Sequence, residues 1–238
     1  MCLVALLRGR PDAPLIVAAN RDELYSRPAV AMAVLGEDPR VRGGRDLVAG
    51  GTWLAVGDHG VVVALTNRPG PRDPGRRTRG ELPIRGARAA TAREAADALV
   101  EAVRRGEHGR CWLFAADRVD AFWIDATGDG PAGPHPLTAS VDAFENVAPG
   151  QPSSKRLRVL AAVGPLADAP LEAVPELLHR ALSAHDAAPG EAATRATCVH
   201  AGAYGTRSQT IVIVPAAGAP RIWMAAGPPC TSTLVPQV

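Results

Sequence analysis

Residues 2–23 read CLVALLRGRPDAPLIVAANRDE, with two apolar runs separated by turn residues and followed by charged ones. Residues 2–7 and 14–19 are short apolar runs, and the Gly, Pro and Asp residues between them are typical of a turn. The stretch therefore predicts a β-hairpin. If the turn closes near residues 9–12, Cys2 lies across from about position 20, next to the polar run Asn20-Arg21-Asp22-Glu23.

Cys2 is the candidate nucleophile because it directly follows the initiator Met1. Removal of Met1 would leave a thiol and a free α-amine on one residue. An α-amine titrates near ~7.7–8 and a free thiol near ~8.5, so the amine can accept the thiol proton at neutral pH. The pattern predicts base-activated nucleophilic catalysis from a single residue. The alternative is a cysteine that stands at position 2 by chance.

Arg21 and Asp22 are the candidate partners of Cys2. Two unit charges about 4 Å apart attract by roughly 4 kcal/mol at an effective dielectric of ~20, enough for Arg21 to lower the pKa of a thiol. Asp22 is then predicted to orient the α-ammonium or Arg21. The alternative is that these charged residues form a solvated turn.

Three further polar positions are candidates for the same site. Asn67 follows an apolar strand, where its amide can donate to an oxyanion, although an Asx turn is the commoner use of such a residue. Asn146 is the candidate second oxyanion donor, in a polar loop that also contains Lys155. Arg207, in the run Tyr204–Thr210, suits contact with an anion or carboxylate, and a plain turn is the alternative.

Composition excludes several classes of function. The chain has 238 residues, is 47% hydrophobic and carries a net charge of +2, so we predict one domain over residues 1–238 and no nucleic-acid partner. Lys155 is the only lysine. No apolar run reaches about 18 residues, and no basic segment precedes the first apolar run, so neither a membrane span nor a secretory signal is expected.

The cysteines are widely spaced and form no C-x-x-C pair. We therefore expect no disulfide framework, no metal site and a cytoplasmic location. His200, two residues after Cys198, is interpreted as a structural histidine, with a metal ligand or a Cys–His pair as the alternatives. No cofactor is expected.

The remaining pattern predicts an α+β protein whose hairpin-linked strands form antiparallel sheets. Three more hairpins are predicted, at Gly51–Val56 with Val61–Thr66, Cys111–Ala115 with Asp120–Ile124, and Thr210–Val214 with Arg221–Ala225. A capping box at Thr91-Ala92-Arg93-Glu94 opens one helix, and apolar spacing predicts a second over Pro170–His185.

Motifs in a fixed order carry a resemblance to a known family. They are Met1-Cys2, Ala18-Ala19-Asn20-Arg21-Asp22-Glu23, Arg27-Pro28, Gly43-Gly44-Arg45-Asp46, Gly50-Gly51-Thr52-Trp53-Leu54, Leu65-Thr66-Asn67, Arg79-Gly80-Glu81-Leu82, Cys198-Val199-His200 and Tyr204-Gly205-Thr206-Arg207-Ser208. With these motifs the chain resembles the NRDE family, also called the Transport and Golgi Organization homologue 2 family. One stretch departs from the family pattern: Glu145-Asn146 and Gln151-Pro152-Ser153-Ser154-Lys155 replace Ser-Asn and a Pro-Trp-Pro-Lys-like segment, and the tryptophan is absent.

The family is in turn similar to the cysteine branch of the N-terminal nucleophile hydrolases. That similarity implies a four-layer αββα sandwich of two antiparallel sheets. It also implies cleavage of a non-peptide C–N amide through a thioester on Cys2. The implied catalytic residues are Cys2, Arg21, Asp22, Asn67, Asn146 and Arg207, and the implied substrate-binding residues are Asn20, Trp53, Thr66, Lys155 and Tyr204.

The resemblance also implies a competing function. Some members of the family have been linked to haem trafficking and to the handling of acyl-coenzyme A or lipid. The alternative is therefore a non-catalytic carrier of haem or of an acyl ligand on the same scaffold. Aromatic residues make up only 4% of the chain, which provides little material for a haem-stacking wall. The expected partner is a small amide or acyl ligand, and the oligomeric state is open.

Overall fold

The computed structural model describes residues 2–71, 73–130 and 132–237. The chain divides into two compact units. The first unit comprises Met1–Arg27 and Ala139–Val238, and the second comprises Pro28–Thr138. The first unit is therefore built from two separate segments of the chain.

Strands dominate both units. In chain order they are β1 Cys2–Arg8, β2 Leu15–Leu24, β3 Ala29–Glu37, β4 Arg40–Asp46, β5 Leu54–Gly57, β6 Val62–Asn67, β7 Cys111–Ala116, β8 Ala121–Asp125, β9 Pro134–Pro136, β10 Val141–Phe144, β11 His200–Ala201, β12 Tyr204–Val214, β13 Arg221–Ala225 and β14 Val235–Gln237. The helices are α1 Glu81–Gly86, α2 Ala92–Arg104, α3 Ser154–Val163 and α4 Val174–Ala181, with 3-10 turns at Gly164–Asp168 and Ala193–Arg195.

The first unit contains an antiparallel sheet in the order β10-β1-β2-β12-β13-β14, with β11 added to β12. The predicted hairpin β1–β2 is confirmed, and its register pairs Cys2 with Arg21. The predicted hairpin β12–β13 is also confirmed. Helices α3 and α4 cover one face of this sheet, where Leu3, Ile16 and Ile211 pack against Val159 and Leu178.

The second unit contains an antiparallel sheet in the order β3 to β9. The predicted hairpins β5–β6 and β7–β8 are confirmed. Helix α2 begins as the capping box predicts, since the Thr91 side chain accepts a hydrogen bond from the Glu94 amide at 3.1 Å. Leu99 of this helix packs in a core with Val63, Leu65 and Leu113 of the sheet.

Three boundaries differ from the sequence-based prediction. Strand β2 runs on to Leu24 because its polar end pairs with the distant strand β12, which supplies hydrogen bonds that local pattern does not reveal. The helix predicted over 170–185 covers only Val174–Ala181, since Pro175 fits the first turn of a helix and not its interior. Lys155, predicted in a loop, lies in α3 because Ser153 caps that helix.

These elements confirm the α+β class with two antiparallel sheets, and each sheet has its own helical layer, as an αββα arrangement requires. Among the described residues, no helix has the length and apolar character needed to span a membrane. The assignment of residues 1–238 to a single domain stays a prediction. The predicted removal of Met1 concerns a residue outside the described part of the chain.

Candidate active site

Cys2 lies at the first position of β1 and is almost completely buried, with 6% of its surface exposed. Side chains alternate between the faces of a strand, and Leu3 points into the core beneath α3 and α4. The thiol of Cys2 therefore lies on the opposite face of the sheet. Arg21, its directly paired neighbour on β2, shares that face and is also buried.

The backbone nitrogen of Cys2 is held by Asn146. It donates a hydrogen bond of 3.1 Å to Oδ1 of Asn146, and both residues are buried. Asn146 reaches this position because β10 pairs with β1, with Phe144 opposite Val4, and the chain continues from there past Cys2. The Oδ1 atom of Asn146 therefore marks the place where a free α-amine of Cys2 would be held.

The electrostatic surroundings of Cys2 favour the thiol over the thiolate. Burial raises the pKa of the Cys2 thiol above its ordinary value, and the Asp22 carboxylate acts in the same direction. Arg21 and a hydrogen bond with the Asp22 backbone oppose this and lower the pKa. The resting thiol therefore keeps its proton at neutral pH, and attack requires a base.

Asp22 is the centre of a buried polar network. Its carboxylate accepts a 2.6 Å hydrogen bond from Thr206 and lies 3.5 Å from the ammonium of Lys155. The Tyr204 hydroxyl donates to the backbone carbonyl of Asp22 at 2.9 Å. Burial raises the pKa of the Asp22 carboxyl, and Lys155 opposes that shift. A buried charge needs such a partner, because an isolated ion is costly to remove from water.

The loop between β10 and α3 brings Asn146 and Lys155 to the same region. Ser153 caps α3 by accepting a hydrogen bond from the Arg156 amide, and its hydroxyl donates to Glu145. Glu145 is 1% exposed and also lies 3.7 Å from Arg195. Glu145 and Ser153 thus fix the ends of the loop, in the stretch where the sequence departs from the family pattern.

Asn20 and Arg207, which the sequence predicted for the site, donate hydrogen bonds to backbone carbonyls in other parts of the first unit. Asn20 lies on the helix-covered face of the sheet, and its amide donates to the carbonyls of Leu182 and Thr197 at 2.9 and 3.1 Å. Arg207 lies at a bulge in β12 with its Nη1 atom 2.6 to 3.0 Å from three backbone carbonyls of residues 24–27. These contacts give both residues a part in holding the backbone.

Trp53, Thr66 and Asn67 belong to the second unit. Trp53 is buried, and its ring lies against Gly44, where a Cβ atom would be 2.2 Å from the ring. Thr66 is buried near the end of β6, and Asn67 is the last residue of that strand, opposite Cys111. Their predicted roles in catalysis and substrate binding stay predictions.

Three residues contact the site although the sequence did not predict them there: Thr206, Glu145 and Ser153. Thr206 stands inside the Tyr204–Ser208 motif, so the motif itself was a signal. Ser153 precedes a helix by the spacing typical of an N-cap, which was a second signal. No pattern in the sequence indicates that Glu145 is buried.

A buried cysteine at the start of a sheet strand, with its nitrogen held by a side-chain amide, fits the N-terminal nucleophile hydrolase fold. Solved structures of that class share the fold. A conjugated bile acid hydrolase variant from Clostridium perfringens superposes with a TM-score of 0.63 at 9% identity, covering 99% of this chain and 92% of the other. Penicillin V acylase from Agrobacterium tumefaciens gives 0.55 at 9% identity, covering 98% and 84%. An N-acylethanolamine-hydrolyzing acid amidase ortholog from Caenorhabditis elegans gives 0.54 at 12% identity, covering 90% and 92%.

The chain belongs to the Transport and Golgi organisation 2 family, whose model matches residues 1–124. The mouse Transport and Golgi organization 2 homolog is 46% identical over 72 residues, which cover 29% of this chain and 26% of the mouse protein. The Drosophila melanogaster protein is 41% identical over 68 residues, covering 25% and 24%. The match spans about a quarter of the length of these relatives.

Proposed function

We propose that this protein is a cysteine N-terminal nucleophile amidohydrolase that cleaves a non-peptide C–N amide bond after removal of Met1. The observation that carries the proposal is the hydrogen bond from the Cys2 nitrogen to Asn146 Oδ1 at 3.1 Å. After processing, that nitrogen becomes an α-amine on the same residue as the thiol. The three similar solved structures are named as a hydrolase, an amidase and an acylase, which supports this class of reaction.

The first half of the proposed reaction acylates Cys2. The α-amine accepts the thiol proton, and the sulfur attacks the carbonyl carbon of the amide. Because burial raises the pKa of the thiol, proton transfer accompanies the attack. The tetrahedral intermediate then collapses as the α-ammonium returns the proton to the leaving nitrogen. The C–N bond breaks, the amine departs and a thioester remains on Cys2.

The second half releases the acid. The α-amine accepts a proton from water, and the resulting nucleophile attacks the thioester carbonyl. The C–S bond breaks, the sulfur regains its proton from the ammonium, and the carboxylic acid leaves. Both half-reactions use the same nitrogen as base and then as acid, so its orientation by Asn146 is the main geometric requirement.

Other residues have supporting roles in the proposal. Arg21, paired with Cys2 across the hairpin, stabilises negative charge on the sulfur. Asp22, held by Thr206 and Lys155, supplies a fixed negative charge close to Cys2 that favours the α-ammonium. Asn67 is the predicted oxyanion donor, and the Nδ2 amide of Asn146 is the candidate second donor.

The proposed location is the cytoplasm. All four cysteines of the chain carry free thiols in the structure, which suits a reducing compartment. A reducing compartment also protects a thiol nucleophile from oxidation.

Intact-mass measurement after a short iodoacetamide pulse tests the proposal. We expect Met1 to be absent and the first label to fall on Cys2, identified by peptide mapping. Incubation with N-acyl anilides of graded chain length should then give an acyl adduct on Cys2 and free aniline. The matched control is Cys2→Ala, which should give neither.

Retention of Met1 would exclude this reaction, since the α-amine would not exist. Complete Met1 removal with no adduct and no released amine for any acyl chain would also count against it. If Cys2→Ala then binds haem or an acyl-coenzyme A as the unmodified protein does, without turnover by either, the carrier function is favoured instead.

A further inference from the structure

Four metal-ligand side chains converge in the first unit, outside the residues proposed for catalysis. They are His185, Cys198, His200 and Cys230. One ligand atom from each lies within 4.8 Å of all the others. The Nε2 atom of His200 is 3.2 Å from the Cys230 sulfur and 3.7 Å from the Cys198 sulfur. The sequence offered a metal ligand only as the alternative for His200 beside Cys198, and it did not indicate that His185 and Cys230 join them.

These separations are close to those of a tetrahedral metal site. With Zn–S bonds of ~2.3 Å and Zn–N bonds of ~2.0–2.1 Å, neighbouring ligand atoms of a tetrahedron lie roughly 3.3–3.8 Å apart. The 3.7 Å distance from His200 to the Cys198 sulfur falls within that range, and the 3.2 Å distance to the Cys230 sulfur lies just below it. The separations among all four ligand atoms extend to at most 4.8 Å, about 1 Å beyond the range. Binding would therefore require only small movements of the ligands.

The backbone holds two of the ligands beside each other. The Cys198 amide donates to the Ala184 carbonyl at 2.8 Å. The amide and hydroxyl of Thr197 donate to the Asp186 carboxylate at 2.7 and 2.8 Å. The segment around His185 is thus fastened to the segment around Cys198 by hydrogen bonds within the chain.

His200 is oriented in the way that metal-bound histidines commonly are. Its Nδ1 atom lies 3.1 Å from the Tyr25 hydroxyl, which leaves Nε2 directed at the two sulfurs. A hydrogen bond on the nitrogen that does not bind the metal fixes the tautomer and the ring. Gly205, opposite His200, makes room for this tyrosine, since a Cβ there would lie 2.1 Å from the hydroxyl oxygen.

We propose that His185, Cys198, His200 and Cys230 bind a divalent, thiol-preferring metal ion, with Zn²⁺ the best match. Two sulfur and two imidazole ligands in tetrahedral geometry are typical of zinc. Both thiols lose a proton on binding, so two thiolates neutralise the charge of the ion. His185 and His200 are exposed, which leaves the site accessible to the incoming ion.

The metal site has a direct connection to the Asp22 network. Val199, between two of the ligands, donates its amide to the Thr206 hydroxyl at 2.8 Å, and that hydroxyl donates to Asp22. A bound ion would therefore hold the segment that orients Thr206. This indicates a structural role, with metal binding favouring the folded state.

Cobalt titration of the untagged full-length protein, kept reduced with a phosphine, tests the proposal. Co²⁺ in a tetrahedral thiolate site absorbs in the visible and gives thiolate-to-metal charge transfer in the near ultraviolet. We expect one equivalent of Co²⁺ to produce both bands and one equivalent of Zn²⁺ to remove them. His200→Ala and Cys230→Ser should weaken binding by at least about tenfold. Cys2→Ala, which removes a thiol outside the cluster, should bind normally.

Circular dichroism checks the fold of each variant, and His185→Ala offers a second test at an exposed position. Absence of stoichiometric Co²⁺ binding by the reduced protein would overturn the proposal. The proposal would also be overturned if the His200→Ala, His185→Ala and Cys230→Ser proteins bound Co²⁺ as tightly as the unmodified protein. A disulfide joining Cys198 and Cys230 that persists under the reducing conditions would also overturn it.

Discussion

At the scale of single residues, opposing effects act on the pKa of the Cys2 thiol. Burial and the nearby Asp22 carboxylate raise the pKa of its thiol, while the paired Arg21 lowers it. The raised pKa matters for mechanism, since it keeps the sulfur protonated until a base acts. A free α-amine held by Asn146 is such a base, and it exists only after Met1 has been removed.

Arg21→Ala should shift the pH profile of Cys2 alkylation to higher pH, because the thiolate loses its cationic neighbour while burial remains. We expect the alkylation rate at neutral pH to fall by about tenfold, equivalent to one pKa unit. Iodoacetamide labelling of Cys2 by mass spectrometry from pH 6 to 10 measures this. Arg21→Lys, which retains the charge, should recover part of the rate. Superimposable profiles for the three proteins would show that Arg21 does not act on the thiol.

At the scale of secondary-structure elements, helix α3 and strand β2 are joined by a buried ion pair. Lys155 is the only lysine of the chain, and its side chain and that of Asp22 are both completely buried. A buried pair is weak evidence of net stabilisation, but removing one partner leaves an uncompensated charge. The pair therefore fixes where α3 sits against the sheet.

Lys155→Met should lower the free energy of unfolding by about 3–5 kcal/mol, because Asp22 would be buried without its counter-charge. The double variant Asp22→Asn with Lys155→Met should recover much of that loss, since no charge is then buried. Urea unfolding at pH 7 of the unmodified protein, the two single variants and the double variant completes a double-mutant cycle. The cycle gives the coupling free energy between Asp22 and Lys155. Additive effects of the two substitutions would contradict this account of the pair.

Strand β7 carries a different buried thiol, which makes stability depend on alkaline pH. Burial raises the pKa of Cys111 from 9.0 to about 12. The folded pKa lies above the unfolded one, so the contribution of this thiol to stability is complete below about pH 9. It is lost progressively as the pH rises towards 12.

Between pH 8 and pH 10.5 the unmodified protein should therefore lose about 1–2 kcal/mol of unfolding free energy through Cys111, at ~1.4 kcal/mol per pH unit above the unfolded pKa. The Cys111→Ala protein has no thiol at this position, so it does not lose unfolding free energy in this way. The stability difference between the two proteins in urea should consequently shrink by that amount at the higher pH. A constant difference would show that the thiol titrates alike in the folded and unfolded chains.

At the scale of the whole molecule, the two units are interleaved in the chain. The chain leaves the first unit after Arg27 and returns to it at Ala139. The central pairing of β2 with β12 in that unit therefore joins segments that lie before and after the second unit in the sequence. Forming that sheet requires closure of the intervening chain, which costs less entropy once the second unit is folded. We therefore expect the two units to unfold together.

Site-resolved thiol labelling should therefore show coincident unfolding of the two units. Cys111 reports on the second unit and Cys198 on the first, and both are buried. We expect their protection from a brief alkylation pulse to be lost at the same urea concentration, and at that of the circular dichroism transition. Two separated midpoints would show that the units unfold independently.

Features that depend on residues close together in the chain could be predicted from the amino-acid sequence. Apolar runs separated by turn residues predicted four hairpins, and the short loop of the first one placed Cys2 across from about position 20. The capping box at Thr91 likewise involves residues only three positions apart. In each case the chain has few ways to bring such close residues together, so local pattern is enough.

Contacts between residues far apart in the chain became visible only in the folded structure. Asn146 reaches the Cys2 nitrogen across 144 positions, and Thr206 reaches Asp22 across 184. Packing likewise brings Lys155 to Asp22 and brings the four proposed metal ligands to one another. Periodicity specifies which face of a strand is apolar but not which strand lies beside it. The order β10-β1-β2-β12, which assembles the site, follows from burying the apolar faces of remote segments against one another.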